Sequence, residues 1–182
     1  MNQRFARSAL PALAALTVAL LAGCAGMGGG RPGAVADLAP TPVVSPNPTM
    51  GKVTFTALEH GVRVAGEVRG LPPGTEHGFH IHEKGSCADN AMASGGHFNP
   101  AGGVHGKFAA PGSHAGELPS LVADSSGVAR FSVDVHSISL SDAAASNVIG
   151  RALVVHKDPD DYTTQPAGNS GARIACAVIA KS

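Results

Sequence analysis

A two-residue rhythm runs through most of the chain, and it limits the fold more than any other feature. Val53, Phe55 and Ala57 fall on one side of "KVTFTAL", Val62, Val64, Gly66 and Val68 on one side of "VRVAGEV", and Phe131, Val133 and Val135 on one side of "ARFSVDV". Leu153 and Val155 repeat the pattern in "RALVVH", as do Ile174, Cys176 and Val178 in "RIACAVI". Successive side chains of a strand point to opposite faces, so this alternation, rich in β-branched residues, predicts strands with one dry and one wet face. "EHG", "LPPGTEHG" and "DSSG" supply the turns between them. A single short helical piece is expected near "LSDAAASN". An all-β sandwich or barrel follows. Residues 83–121 and 157–172 break the rhythm, and loops of that length inside a compact domain are commonly functional.

The start of the chain has a different character. Arg4 and Arg7 precede the apolar run "SALPALAALTVALLAGC", which has the basic start, short apolar middle and small-residue end of a secretory signal. Its last four residues, "LAGC", resemble the lipobox of bacterial lipoproteins, which implies cleavage before Cys24 and acylation of that cysteine. Ala25 in the next position implies sorting to the outer membrane, with the protein facing the periplasm. Residues 1–23 are therefore expected to be a lipoprotein signal peptide. The Gly-, Ala- and Pro-rich stretch 24–48 is expected to be a lipidated, flexible tether, because it offers little surface to repay ordering.

Residues 49–182 form a domain of ordinary size with ten Lys and Arg against twelve Asp and Glu, a net charge of −2 with histidine neutral. No basic tract marks a nucleic-acid surface. With Cys24 set aside, Cys87 and Cys176 are an even pair in an oxidising compartment, which reads as one disulfide. Closing so long a loop contributes roughly 4 to 5 kcal/mol in the chain-entropy model.

The chemistry lies in the histidines. His80 and His82, in "HGFHIHEKGSC", share one face of a strand about 6.5 to 7 Å apart, close enough to grip one ion through bonds of about 2 Å. His156 ends "RALVVH", and the first long loop carries His97, His105, His114 and Glu117. Seven donors exceed what one tetrahedral ion takes, while two such ions need eight bonds, so one shared imidazole would balance the count. Imidazole and carboxylate without thiolate suit zinc or copper. The residues alone leave open whether such metals cut bonds, move electrons or are stored. His77 reads as a structural hydrogen-bonder, and His60 and His136 as surface residues.

"GFHIHEKGSC", "GGHFNPAGGVHG", "GSHAGELPSLVAD", "GRALVVHKDPDD" and "GNSGARIACAVI" occur in the order and at nearly the spacings that resemble the copper,zinc superoxide dismutase family, over residues 51–180. The resemblance implies an eight-stranded antiparallel Greek-key β-barrel with two long functional loops. It implies copper held by His80, His82, His97 and His156, and zinc held by His97, His105, His114 and Glu117, with His97 as the shared ring. It further implies a Cys87–Cys176 disulfide, Asp160 as a carboxylate steadying ligands of both metals, and Arg173 docking superoxide beside the copper. A homodimer and a monomer both occur among bacterial relatives.

Two positions depart from the family pattern. Glu117 stands where the family has aspartate, and its extra methylene is expected to make zinc less secure than copper. Ala167 takes the place of a threonine at the channel lip. The leading reading is a superoxide dismutase in the cell envelope. The alternative is a non-catalytic copper- or zinc-binding or delivery domain on the same fold.

Overall fold

The computed structural model describes residue 1 and residues 33–42 and 48–182. The signal segment and Cys24 lie outside the described residues.

Among the described residues there are ten strands: β1 (Ala34–Pro40), β2 (Met50–Ala57), β3 (Val62–Arg69), β4 (Glu76–His77), β5 (Phe79–His82), β6 (Leu121–Val122), β7 (Val128–Val135), β8 (Ala152–His156), β9 (Arg173–Val178) and β10 (Ala180–Lys181). Every strand pair is antiparallel. Eight strands make one sheet in the order β5, β8, β9, β1, β2, β3, β7, with β10 also pairing β1, while β4 and β6 pair separately. Because β4 runs into β5 and β6 turns into β7, this small pair links the two edges of the large sheet and the architecture curls into a barrel, as expected.

Val53, Phe55, Val62, Val64, Val68, Leu153 and Val155 fill the interior. Phe79 meets Phe131 edge to face with ring centroids 5.3 Å apart. Among the described residues the only helical turn is a 3-10 turn at Met92–Ser94, and "LSDAAASN" forms turns instead. Ser, Asp and Asn compete with the backbone for hydrogen bonds, and this favours turns over helix.

Three expectations need correction. The stretch 24–48 is not a tether throughout, because residues 34–40 form β1, a central strand between β2 and the β9 and β10 segments. Ala34 and Ala36 are fully buried and Leu38 nearly so. Their apolar alternation is of period two but small in volume, and paired backbone rather than bulky side chains holds the strand. Second, β8 has no wet face. Leu153 and Val155 point into the main core, and Ala152 and Val154 pack outward under Ala91, Cys87 and Cys176. Third, the phase of β9 is not the one the alternation implied: Ala175, Ala177 and Ile179 join Ile174 in the core, Cys176 faces the outer cluster and Val178 is exposed. The cause is a bulge. Val155 pairs Ala175 but His156 pairs Arg173, so Ile174 is the extra residue.

Burial of Ala34, Ala36 and Leu38 is worth on the order of 4 kcal/mol by side-chain area alone. A chain beginning at Thr49 is therefore expected to melt well below one beginning at Gly33. Equal thermal unfolding of the two truncations would show β1 to be dispensable.

Candidate metal centre

The site is built on the free edge of β5. Ile81 N–H donates to the Gly116 carbonyl at 2.9 Å, Phe98 N–H donates to the Ile81 carbonyl at 2.8 Å, and Gly116 N–H closes the set on the Phe98 carbonyl at 2.9 Å. The first long loop is thus hydrogen-bonded to the strand in register, with His97 opposite His82 and Glu117 opposite His80. A Cβ at residue 116 would land on the Ile81 carbonyl oxygen, so only glycine permits this approach. His156 joins from β8, its N–H bonded to the Gly78 carbonyl at 2.8 Å.

Two buried donor sets result: His80, His82, His97 and His156, and His97, His105, His114 and Glu117. Within each set the donor atoms all lie within 4.8 Å of one another. The ring centroids of the first set are 4.0 Å (His80 to His97), 5.0 Å (His80 to His156), 5.1 Å (His82 to His97) and 5.5 Å (His82 to His156) apart. These are the residues the resemblance implied, and His97 is common to both sets.

Hydrogen bonding fixes which nitrogens face inward. His82 Nδ1 donates to the Gly95 carbonyl at 2.9 Å and His156 Nδ1 to the Gly171 carbonyl at 3.2 Å, leaving their Nε2 lone pairs facing each other at 3.3 Å. His80 Nε2 donates to Asp160 Oδ2 at 2.7 Å, which leaves His80 Nδ1 buried without a partner, as is His97 Nε2. Four lone pairs converging in a buried space repel one another unless a cation lies between them, so the residues fit a metal ion.

In the second set the Nδ1 atoms of His97, His105 and His114 stand 3.1, 2.9 and 2.7 Å from Glu117 Oε1. His105 Nε2 gives its proton to Asp160 Oδ1 at 2.9 Å, so its Nδ1 is a lone pair beside a carboxylate oxygen. The His114 approach lacks the angle of a hydrogen bond. This set too is arranged for a cation. The Glu117 side chain brings Oε1 within 2.7 to 3.1 Å of all three nitrogens.

Asp160 binds His80 with one oxygen and His105 with the other, and also accepts from Tyr162 N–H at 2.7 Å. Gly168, in the left-handed region at φ 63°, passes so close that a Cβ there would collide with Asp160 and His105. Asp161 takes no part in the site; it caps its own loop through Thr163 and Thr164. His77 is the structural bridge expected, with Nδ1 donating to the His156 carbonyl and Nε2 2.7 Å from Thr75 Oγ1, while His60 and His136 are exposed.

Arg173 is half-buried. Its guanidinium donates to the carbonyls of Ala91 (2.6 Å) and Gly95 (2.8 Å) and to Ser94 Oγ (2.9 Å), all neutral oxygens. With His156, Met92 and Ala167 it lines a cavity of about 240 Å³. Cys87 and Cys176 are disulfide-bonded with Cα atoms 5.7 Å apart, tying the loop that Arg173 grips to β9. The sequence reading missed the Gly95 and Gly171 carbonyls and Gln165, whose side-chain amide accepts from His105 N–H and donates to its carbonyl, both at 2.9 Å. Nothing in residue type or spacing marks these partners.

Burial, then the His97 and His156 rings, holds His80 well below the usual imidazole value. Burial, then His156, His97 and Arg173, does the same to His82. Burial pushes His156 down to about 4, with the Gly171 carbonyl opposing and His97 and Arg173 adding to the fall. Burial would raise Glu117, but the hydrogen bond and charge of His97, with His80 and His105, outweigh it and lower its pKa. These groups bind protons more readily when unfolded, so stability is fully present above about pH 6.5 and falls on acidification. Metal-free protein should lose about 1.4 kcal/mol per pH unit through His156 alone between about pH 6.5 and about 4. A melting temperature unchanged between pH 7 and pH 5 would contradict buried, neutral imidazoles.

Comparison with known proteins agrees with this geometry. Residues 49–179 match the family model described as copper/zinc superoxide dismutase. Over 134 residues the chain is 41% identical to superoxide dismutase [Cu-Zn] 2 of Aquifex aeolicus, covering 71% of this chain and 78% of that one. Over 138 residues it is 38% identical to a superoxide dismutase [Cu-Zn] of Paramecium bursaria Chlorella virus 1, covering 72% and 73%. The crystal structure of a SOD-like protein from Bacillus subtilis superposes with a TM-score of 0.71 at 33% identity, covering 81% of this chain and 98% of that one. The chain belongs to the copper/zinc superoxide dismutase family.

Proposed function

We propose that the protein converts two superoxide anions and two protons to oxygen and hydrogen peroxide, with copper at His80, His82, His97 and His156 and a structural zinc at His97, His105, His114 and Glu117. The observation that carries this reading is the convergence of four buried imidazole lone pairs next to a guanidinium that, among the described residues, is held by carbonyls and a hydroxyl and paired with no carboxylate. Copper bound there would supply one-electron redox chemistry, taking an electron from one superoxide and giving it to the next. Arg173 draws the anion into the cavity and orients it, since guanidinium stays charged and offers directed donors. His97 Nε2, at the junction of the two sets, can carry a proton toward the peroxide product. Asp160 and the Gly95 and Gly171 carbonyls hold the rings, so that the geometry need not reorganise between the two half-reactions.

We also propose that the protein is exported and anchored by lipid on Cys24 in the cell envelope, facing the periplasm. The "LAGC" segment behind a basic, apolar start supports this reading. With β1 starting at Ala34, residues 25–33 can reach at most about 35 Å from the anchor. The far end of β1 lies by Arg173, where Thr41 Oγ1 donates to the Arg173 carbonyl at 2.6 Å. The described chain therefore enters the barrel at the end of β1 away from the cavity.

Three measurements test this. Copper-loaded protein should suppress superoxide-driven reduction of a reporter dye, and His156→Ala should remove that activity with the far-UV spectrum unchanged; equal activity in the variant would end the assignment. Arg173→Gln should lower kcat/KM roughly 10- to 100-fold and flatten its dependence on ionic strength. Cys24→Ser should move the protein from the membrane fraction to the soluble one, and an unchanged distribution would remove the anchor.

A further inference from the structure

A third buried cluster joins the two metal sets, made of His80, Glu117 and Asp160, with donor atoms within 4.8 Å of one another. All three residues already have roles, yet one atom is unexplained. Glu117 Oε1 faces the three Nδ1 atoms of the zinc set, while Glu117 Oε2 is buried with no hydrogen-bond partner. It lies 3.4 Å from His80 Nε2, the nitrogen that donates to Asp160 Oδ2 at 2.7 Å. Glu117 also stands directly across the strand edge from His80, so backbone pairing fixes this approach. The His80 Nε2–H group is directed at Asp160, and Glu117 Oε2 stands beside it at charge-pair distance, outside hydrogen-bond geometry.

We propose that Glu117 is a positioning residue for the copper ligand His80 as well as a zinc ligand: its second oxygen attracts, electrostatically, the His80 Nε2–H group that Asp160 accepts, forming a direct strut from the zinc set to the copper set. This rests on the metal assignment above and goes beyond it. The strut passes through neither His97 nor Asp160. A shorter carboxylate at this position, rooted at the same backbone pairing, lacks the length to serve the three zinc nitrogens with one oxygen and His80 with the other. The extra methylene of Glu117 therefore supplies a second hold on His80. It follows that His80 is steadied by two carboxylates, and that removing one leaves the other in place.

The test is a double-mutant cycle on zinc-saturated full-length protein: the wild type, Asp160→Asn, Glu117→Asp and the double variant. Copper affinity is measured by competition with a chromogenic chelator. In the Glu117 background, Asp160→Asn should weaken copper binding no more than about threefold. In the Glu117→Asp background, the same change should cost roughly 10- to 100-fold, the usual loss when an outer partner of a metal ligand is removed. Equal losses in both backgrounds would overturn the strut. If the double variant does not fold, the copper visible and paramagnetic spectra of the wild type and Glu117→Asp are compared with and without zinc. A larger zinc-dependent change in the wild type supports the strut, and identical changes refute it. Failure of the metal assignment looks different: the wild type would bind copper no more tightly than His156→Ala.

Discussion

The site depends on the peptide of Ile81. An edge strand leaves backbone donors and acceptors unpaired, and such groups must find partners when buried. In β5 those partners come from the long loop, through Gly116 and Phe98, rather than from another strand of the barrel. The pairing places loop side chains in register with strand side chains. His97 and Glu117 arrive opposite His82 and His80 because cross-strand neighbours stand side by side. Two ordinary hydrogen bonds thus bring together donors separated by 15 to 37 positions in the chain.

That pairing places atoms, but the tautomers decide what they can hold. Each imidazole of the first set gives its proton outward, to Asp160, Gly95, Gly171 or Glu117, and turns a lone pair inward. Burial then disfavours protonating the inward nitrogen of His80, His82 and His156, so these three rings remain neutral through the pH range in which proteins usually work. The unpaired nitrogens are a cost to the metal-free fold. The disulfide, the Gln165 clamp on His105 and the Arg173 contacts offset it by holding the two loops from several directions.

Much of this could be read from residue order, and the parts that could not share a physical reason. Alternation revealed β2, β3 and β7 and the inward face of β8, because burial on one face imposes a period of two. The histidines and cysteines stood out because their chemistry is rare and their spacing specific. β1 was hidden by its composition, since Ala34 and Ala36 look like linker residues until a neighbour pairs their backbone. The β9 bulge was hidden because a one-residue register shift leaves no mark on side-chain type. The shift places Arg173 opposite His156. The carbonyls that orient His82 and His156, and the side chain of Gln165, act through backbone positions that any residue could supply.

Under the proposed function Arg173 meets two opposed demands. A guanidinium that is to capture an anion must be held still, and the usual way to hold one is a carboxylate, which would cancel the charge that attracts the anion. Here the restraint comes from carbonyls and a hydroxyl, which fix direction while leaving the full charge to the cavity. Those carbonyls are presented by an unusual turn. Asp89, Asn90 and Ala91 all occupy the left-handed region, at φ 54°, 52° and 63°, which costs about 1 to 2 kcal/mol per residue in an unsupported chain. The disulfide at Cys87 constrains the turn from one side and the Arg173 hydrogen bonds from the other. The same bonds that position the cation therefore stabilise the turn that binds it. A domain whose residues 33–182 carry a net charge of −3 can keep a positive field at one small opening, because local geometry rather than total charge sets the potential there.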